Sequence, residues 1–133
     1  MTELVKSTQF GHGNLGPYAI TYVDNLTPDN AEWASGYVTL NNQVLTSSCG
    51  NVRSRPSGAN SMWPPVLGSP NPDGFHIEYD LGEDGILAID AKPNVIIMQV
   101  LEIYTRWVGS IHGGIVGSNT TYTGMLTWDF SRL

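Results

Sequence analysis

The chain is 133 residues long, enough for one domain with a real core and too short for two. Apolar residues make up 41% and charged residues 14%, with 15 glycines and 8 prolines; this mix excludes a coiled coil, a helical bundle and a disordered tail, and favours short strands joined by tight turns. Six Lys and Arg against 12 Asp and Glu give a net charge of -6, without the basic cluster that nucleic acid or an anionic membrane surface requires. Cys49 is the single cysteine, so no internal disulfide forms. The opening MTELVKSTQF lacks the apolar core of a signal peptide, and the apolar run 95–103 is interrupted by Gln99 and Glu102. It is too short to cross a bilayer, so the expectation is a soluble cytoplasmic protein.

Residues 1–16 are polar and glycine-rich and read as a loose leader. PYAITYV (17–23) reads as the first strand and SGYVTL (35–40) as the second, followed by an Asn41-Asn42 hairpin turn. Residues 44–52 form a weaker third strand. The stretch 53–73 holds five of the eight prolines and reads as a 21-residue loop. Its centre, Met62-Trp63-Pro64-Pro65-Val66-Leu67, is apolar, as a lid over a cavity mouth would be. Next comes a clean alternation: Phe75, Ile77, Tyr79 and Leu81 face one way, His76, Glu78 and Asp80 the other. Residues 86–90 return as a hairpin, and 95–108 form one long bent strand or two broken near Thr105. Gly113-Gly114 and Gly117-Ser118-Asn119 are read as turns. The last strand, 121–130, sets Tyr122, Gly124, Leu126, Trp128 and Phe130 on one face.

Hairpin-linked strands in a chain of this length bury one face as a closed barrel or a small sandwich. The apolar faces carry Tyr18, Tyr22, Tyr79, Tyr122 and Trp128, whose polar tips want partners when buried. Apolar walls with a few phenol and indole donors suit a small-molecule pocket, and an eight-stranded barrel can hold one small ligand. The expected architecture is therefore all-β: one domain over residues 1–133, an eight-stranded antiparallel barrel with a hydrophobic lumen capped by the 53–73 loop. No phosphate-binding loop is present, and His12, His76 and His112 lack metal-ligand spacing. Glu83-Asp84 lies in a turn, Glu78 and Glu102 fall on outer faces, and Cys49 reads as a structural thiol. No metal or cofactor is expected, so any catalysis comes from shape.

Arg106-Trp107-Val108, Gly114, Gly117, Thr123-Gly124 and Trp128 lead from one tryptophan, through a glycine turn, to a T-G-x-x-x-W final strand. Upstream stand Thr46-Ser47-Ser48, Gly50-Asn51 and Arg53, with Gly85 at a hairpin after Tyr79. In these pieces the chain resembles the spirotetronate and spirotetramate cyclases, small β-barrel Diels–Alderases that catalyse an intramolecular [4+2] cycloaddition of a linear polyketide. Its architecture is also similar to the allene-oxide-cyclase and dirigent barrels. The resemblance implies that Trp128 packs on the substrate and that Tyr79 hydrogen-bonds a substrate carbonyl. It implies that Leu126 and Phe130 flank Trp128 in the lumen; Leu126 replaces an arginine, and Val38 stands where an aromatic is expected. It implies a homodimer, no cofactor and a hydrophobic polyketide as the small-molecule partner. Tyr122, Phe75, Ile77 and Val38 complete the expected binding wall, and Trp63 caps it. A preorganised phenol donor in a dry site is worth roughly 3 kcal/mol, and orientation alone supplies more.

Two other functions fit the same residues. A non-catalytic barrel would hold one equivalent of an apolar ligand unchanged. A carbohydrate-binding sandwich would display Trp33, Trp63 and Trp107 on its surface.

Overall fold

The structure is a computed structural model that describes residues 5–47 and 49–133. Its strands are β1 (Ser7–Leu15), β2 (Tyr18–Leu26), β3 (Glu32–Leu40), β4 (Gln43–Thr46), β5 (Val52–Ser57), β6 (Gly74–Asp80), β7 (Ile86–Val100), β8 (Tyr104–Ile115) and β9 (Tyr122–Ser131). They form one antiparallel sheet in the order β4-β3-β2-β1-β9-β8-β7-β6-β5. The expected all-β class holds, with nine strands among the described residues instead of eight. No helix of the described residues is long and apolar enough to cross a membrane.

The additional strand is β1, which the polar composition of 1–16 hides; residues 1–4 lie outside the described residues. Its glycines serve close approach. A Cβ on Gly13 would meet the Met125 carbonyl oxygen at 2.2 Å, and one on Gly11 would enter the Tyr22 ring at 2.4 Å. β1 therefore threads between β2 and β9 and joins the two halves of the sheet.

The expected third strand, 44–52, divides into β4 and the start of β5, which sit at opposite edges of the sheet. Gly50 turns the chain there at φ 74°; Ser48 of the Thr46-Ser47-Ser48 motif lies outside the described residues. β5 also takes residues 53–57 out of the expected loop. Pro56 is tolerated because β5 is an edge strand with one side free of ladder bonds. Asn41 and Asn42 make the expected hairpin turn at φ 50° and 70°.

β7 runs on through residues 90–95, absorbing Pro93 and Asn94 in register shifts at Pro93/Val95 and Ile96/Met98. The break after it falls at 101–103, where Leu101 adopts φ 47°. Gly113 and Gly114 lie inside β8, not in a turn; the chain reverses beyond Ile115, where Gly117 has φ 86°. Val95, Ile96, Ile97, Met98, Val100 and Leu101, towards the tip of the β7–β8 hairpin, are all exposed.

The ladder does not close into a barrel. The sheet curls until β5 lies across β1 to β3, and side chains make the seam. Ser54 donates its N–H to Asp24 Oδ2 at 3.0 Å and its hydroxyl to Gln9 Oε1 at 2.7 Å. Gln9 Nε2 donates to the Ser54 carbonyl at 3.0 Å, and Asn51 Nδ2 donates to the Gly36 carbonyl at 2.9 Å. These bonds satisfy edge groups that a closed barrel would pair through its backbone.

Candidate functional site

The interior has two zones. The larger is apolar. Phe75, Ile77 and Tyr79 of β6, Val38 of β3, and Leu126, Trp128 and Phe130 of β9 all face inward and are at most 1% exposed. Phe75 lies against Trp107, Trp128 and Phe130 with ring centroids 5.4, 5.8 and 5.5 Å apart, the last two edge-on. Trp107 and Trp128 meet at 5.6 Å. Such pairs add roughly 0.5–1.5 kcal/mol beyond the area they bury. Side chains thus fill the place where the sequence suggested a lumen.

Of the expected site residues, Val38, Phe75, Ile77, Tyr79, Leu126, Trp128 and Phe130 share the buried core, and Tyr122 and Trp63 pack against it. Tyr79 spends its hydroxyl on the Thr21 carbonyl at 2.8 Å; burial, then the nearby Tyr22, pushes the phenol pKa well above its ordinary value. Trp128 is buried, and its Nε1 has no partner among the described residues. Tyr122 is half-buried at the other end of the sheet, edge-on to Tyr18 at 5.6 Å. Trp63 is half-buried against the edge of the same core, with the Arg55 guanidinium 4.3 Å from its ring centroid. Trp107 is 2% exposed while Trp33 is 71% exposed. With a single sheet, this corrects the carbohydrate-binding sandwich, which needs several surface tryptophans. Cys49, read as a structural thiol, is exposed and unpaired.

The second zone is polar and lies under the loop 58–73. Ser7, Gln9, Asp24, Ser54, Thr105 and Arg132 are 0–1% exposed. Arg132 holds the loop down: it donates to the Ser69 carbonyl at 3.3 Å, to Asn71 Oδ1 at 3.0 Å and to Thr105 Oγ1 at 2.8 Å. On the other side, Arg55 grips Glu32 with two charge-assisted bonds of 2.6 and 2.7 Å. The same guanidinium is 3.6 Å from Asp24 Oδ2.

Asp24 and Glu32 thus both face the Arg55 guanidinium. Burial, then the neighbouring Glu32, raises the Asp24 carboxyl to about 8. Burial alone would raise Glu32 too, but the Arg55 hydrogen bonds outweigh it and hold Glu32 below its ordinary value. Of the two carboxyls, Asp24 is thus the one that holds a proton more tightly. Such an arrangement can donate a proton without free acid in solution.

The sequence reading missed Asp24 because it ended the strand at Val23. Extended by three residues, the alternation sets Tyr18, Ile20, Tyr22, Asp24 and Leu26 on one face, all of them buried. A carboxylate on an apolar face was the available signal. Gln9 and Ser7 were hidden with β1, and no sequence pattern marks Arg132.

Open clefts lie elsewhere on the molecule. One of about 430 Å³ is lined by Val23, Glu32, Trp33, Ala34 and Cys49 among others. Another of about 290 Å³ is lined by Arg53, Arg55, His76, Glu78 and Asp80. His76 bonds Asp90 through Nδ1 at 2.7 Å and Glu78 through Nε2 at 3.1 Å. Burial alone would lower its pKa, but Asp90 and then Glu78 lift it. No three His, Cys, Asp or Glu side chains among the described residues are placed to hold a metal ion.

No family model matches the chain. It is 35% identical over 116 residues to the quinolone epoxide rearrangement protein penF of Penicillium thymicola, covering 85% of this chain and 32% of the relative. It is 33% identical over 115 residues to the quinolone epoxide rearrangement protein asqO of Emericella nidulans, covering 85% and 31%. The chain thus spans about a third of the length of these relatives. Among solved structures it superposes on CghA with Sch210972 at a TM-score of 0.77 and 12% identity, over 97% of this chain and 41% of that one. These relatives are named for a rearrangement, which fits the expected cyclase-type chemistry without its spirotetronate specificity. By sequence the chain is similar to the quinolone epoxide rearrangement proteins over most of its own length, and by fold it is similar to CghA.

Proposed function

We propose that this chain takes part in an enzymatic rearrangement or cyclisation of a small, largely apolar, ring-bearing molecule of secondary metabolism, with no cofactor. The substrate class we favour is an epoxide. The observation that carries this reading is the 35% identity across 85% of the chain to a quinolone epoxide rearrangement protein. The buried Asp24 carboxyl, raised above its ordinary range by burial and then by Glu32, supports it, because an acid assists rearrangement of an epoxide at neutral pH. The narrower form, a [4+2] cycloaddition of a linear polyketide, draws on the aromatic wall of Phe75, Trp107, Trp128 and Phe130. In that form Tyr79 is the carbonyl donor and Trp128 the platform, and the interior must open to admit the chain.

The test incubates the purified full chain with a quinolone epoxide in metal-free, cofactor-free buffer and follows it by liquid chromatography and mass spectrometry. The expected result is an isomer of unchanged mass that accumulates over many turnovers. One equivalent retained unaltered would favour the carrier reading. A quinolone epoxide neither bound nor converted would overturn the proposal.

A further inference from the structure

The packed interior leaves a ring-bearing substrate no room, but the outer face of β1 to β3 is hollowed. β3 turns Trp33, Ser35 and Tyr37 outward at alternate positions. Trp33 is 71% and Tyr37 47% exposed. Four residues of strand set them about 13 Å apart, with the small serine between. On β1 Phe10 also points outward, 45% exposed, with the His12 ring 6.2 Å away. The strand between, β2, presents Thr21, Val23 and Asn25 on the same face. Phe10 pairs with Val23, and Val23 with Ser35. Neighbouring strands lie about 4.8 Å apart, so β1 and β3 stand about 10 Å apart across this floor.

Two open clefts occupy this face. The larger, about 430 Å³, meets Asn25, Glu32, Trp33 and Cys49. The other, about 250 Å³, meets Phe10, Thr21, Tyr37 and Ser47. Val23 and Ser35 line both, so the two join as one trough of small-molecule size. Single exposed apolar residues are ordinary, but three aromatics around a shared trough form a patch that a bound ring would bury. A floor of small side chains beside an indole and a phenol suits the flat face of an aromatic ring. The rim near Trp33 is polar. The Arg55 fork holds Glu32 in place, and each carboxylate oxygen keeps a lone pair for a further donor. The Asn25 amide both donates and accepts.

We propose that this outer trough binds the planar aromatic ring of the substrate. The ring lies on Val23 and Ser35 against Trp33, with its polar edge toward Asn25 and Glu32. The apolar remainder of the molecule extends over the floor to Phe10 and Tyr37. The ligand class, a nitrogen-bearing bicyclic aromatic such as a quinolone, rests on the rearrangement reading above. The place of the site rests on the two clefts and the three exposed rings around them.

Cys49 is the single cysteine, is exposed and borders the larger cleft, so its alkylation by iodoacetamide, followed by mass spectrometry on the full chain, reports occupancy. The binding probe is a quinolone without the epoxide. It should slow that alkylation. By calorimetry its affinity should fall about tenfold or more in Trp33→Ala and in Tyr37→Ala; both side chains are exposed enough to leave the melting temperature nearly unchanged. Val116→Ala, 64% exposed in the turn after β8, should bind like wild type. Wild-type affinity in both aromatic variants, no binding at all, or a bound probe that leaves the alkylation rate unchanged overturns the proposal. So does a dimer that Trp33→Ala splits into monomers while the probe stays unbound, since the face then joins two copies of the chain. With the quinolone epoxide as substrate, Trp33→Ala should raise KM. Conversion with an unchanged KM in that variant overturns the trough and keeps the rearrangement reading. An epoxide held in the trough but left intact overturns the rearrangement reading and keeps the trough as a binding site.

Discussion

Trp128→Ala is expected to lower folding stability by about 3–5 kcal/mol, read by urea denaturation. The indole is 1% exposed and sits between Phe75 and Trp107 with centroids 5.8 and 5.6 Å away. Truncation removes both aromatic contacts and leaves a cavity that the surrounding strands cannot collapse into, because their ladders fix their spacing. For a domain of this size the melting temperature should fall by roughly 10 °C or more. Met125→Ala, on the opposite face of the same strand and 55% exposed, should change stability by no more than about 0.5 kcal/mol. A loss below about 1 kcal/mol for Trp128→Ala would mean that the interior is hollow there and that the indole is free to meet a guest.

Gly124→Val should be at least as damaging, about 4 kcal/mol or more. A Cβ at this position would stand 1.7 Å from the Asn14 carbonyl oxygen, a backbone atom that cannot rotate away. Gly124 pairs with Leu15 at the end of the β1–β9 ladder, and that ladder joins strands β1 to β4 to strands β5 to β9. Relieving the clash means separating β1 from β9 at this end. Circular dichroism and the yield of folded protein should both fall sharply, whereas the exposed neighbour Thr123→Val should be tolerated. A Gly124→Val variant with near-native stability would contradict the close strand contact.

The alternations at 75–81 and 121–130 were legible because each strand buries one face and wets the other, so period two survives in the residues themselves. The Asn41-Asn42 turn was legible because asparagine tolerates the positive φ that the hairpin imposes. β1 was not, because its inward positions are Ser7, Gln9, Gly11 and Gly13, chosen for seam bonds and close approach rather than for hydrophobic burial. Pro93 concealed the continuity of β7, since a bulge that accommodates proline looks like a break in sequence. The aromatic side chains face inward as the alternation implies, but whether they line a lumen or a packed core depends on three-dimensional volume, which spacing does not encode. The polar end depends on β5 folding back over β1 and β2, a contact between residues 45 positions apart at Gln9 and Ser54.

The most direct test of the raised Asp24 carboxyl is the pH dependence of thermal stability in wild type and Asp24→Asn. A carboxyl raised to about 8 in the fold and near 3.9 when unfolded holds a proton in the native state that the unfolded chain has lost. Its contribution is therefore complete below about pH 4 and declines as pH rises through about 8. Wild type should lose stability from pH 5 to 8.5 relative to Asp24→Asn, whose neutral amide has no proton to surrender. Parallel curves for the two proteins across this range would contradict the account and show that Asp24 is ionised in the fold throughout.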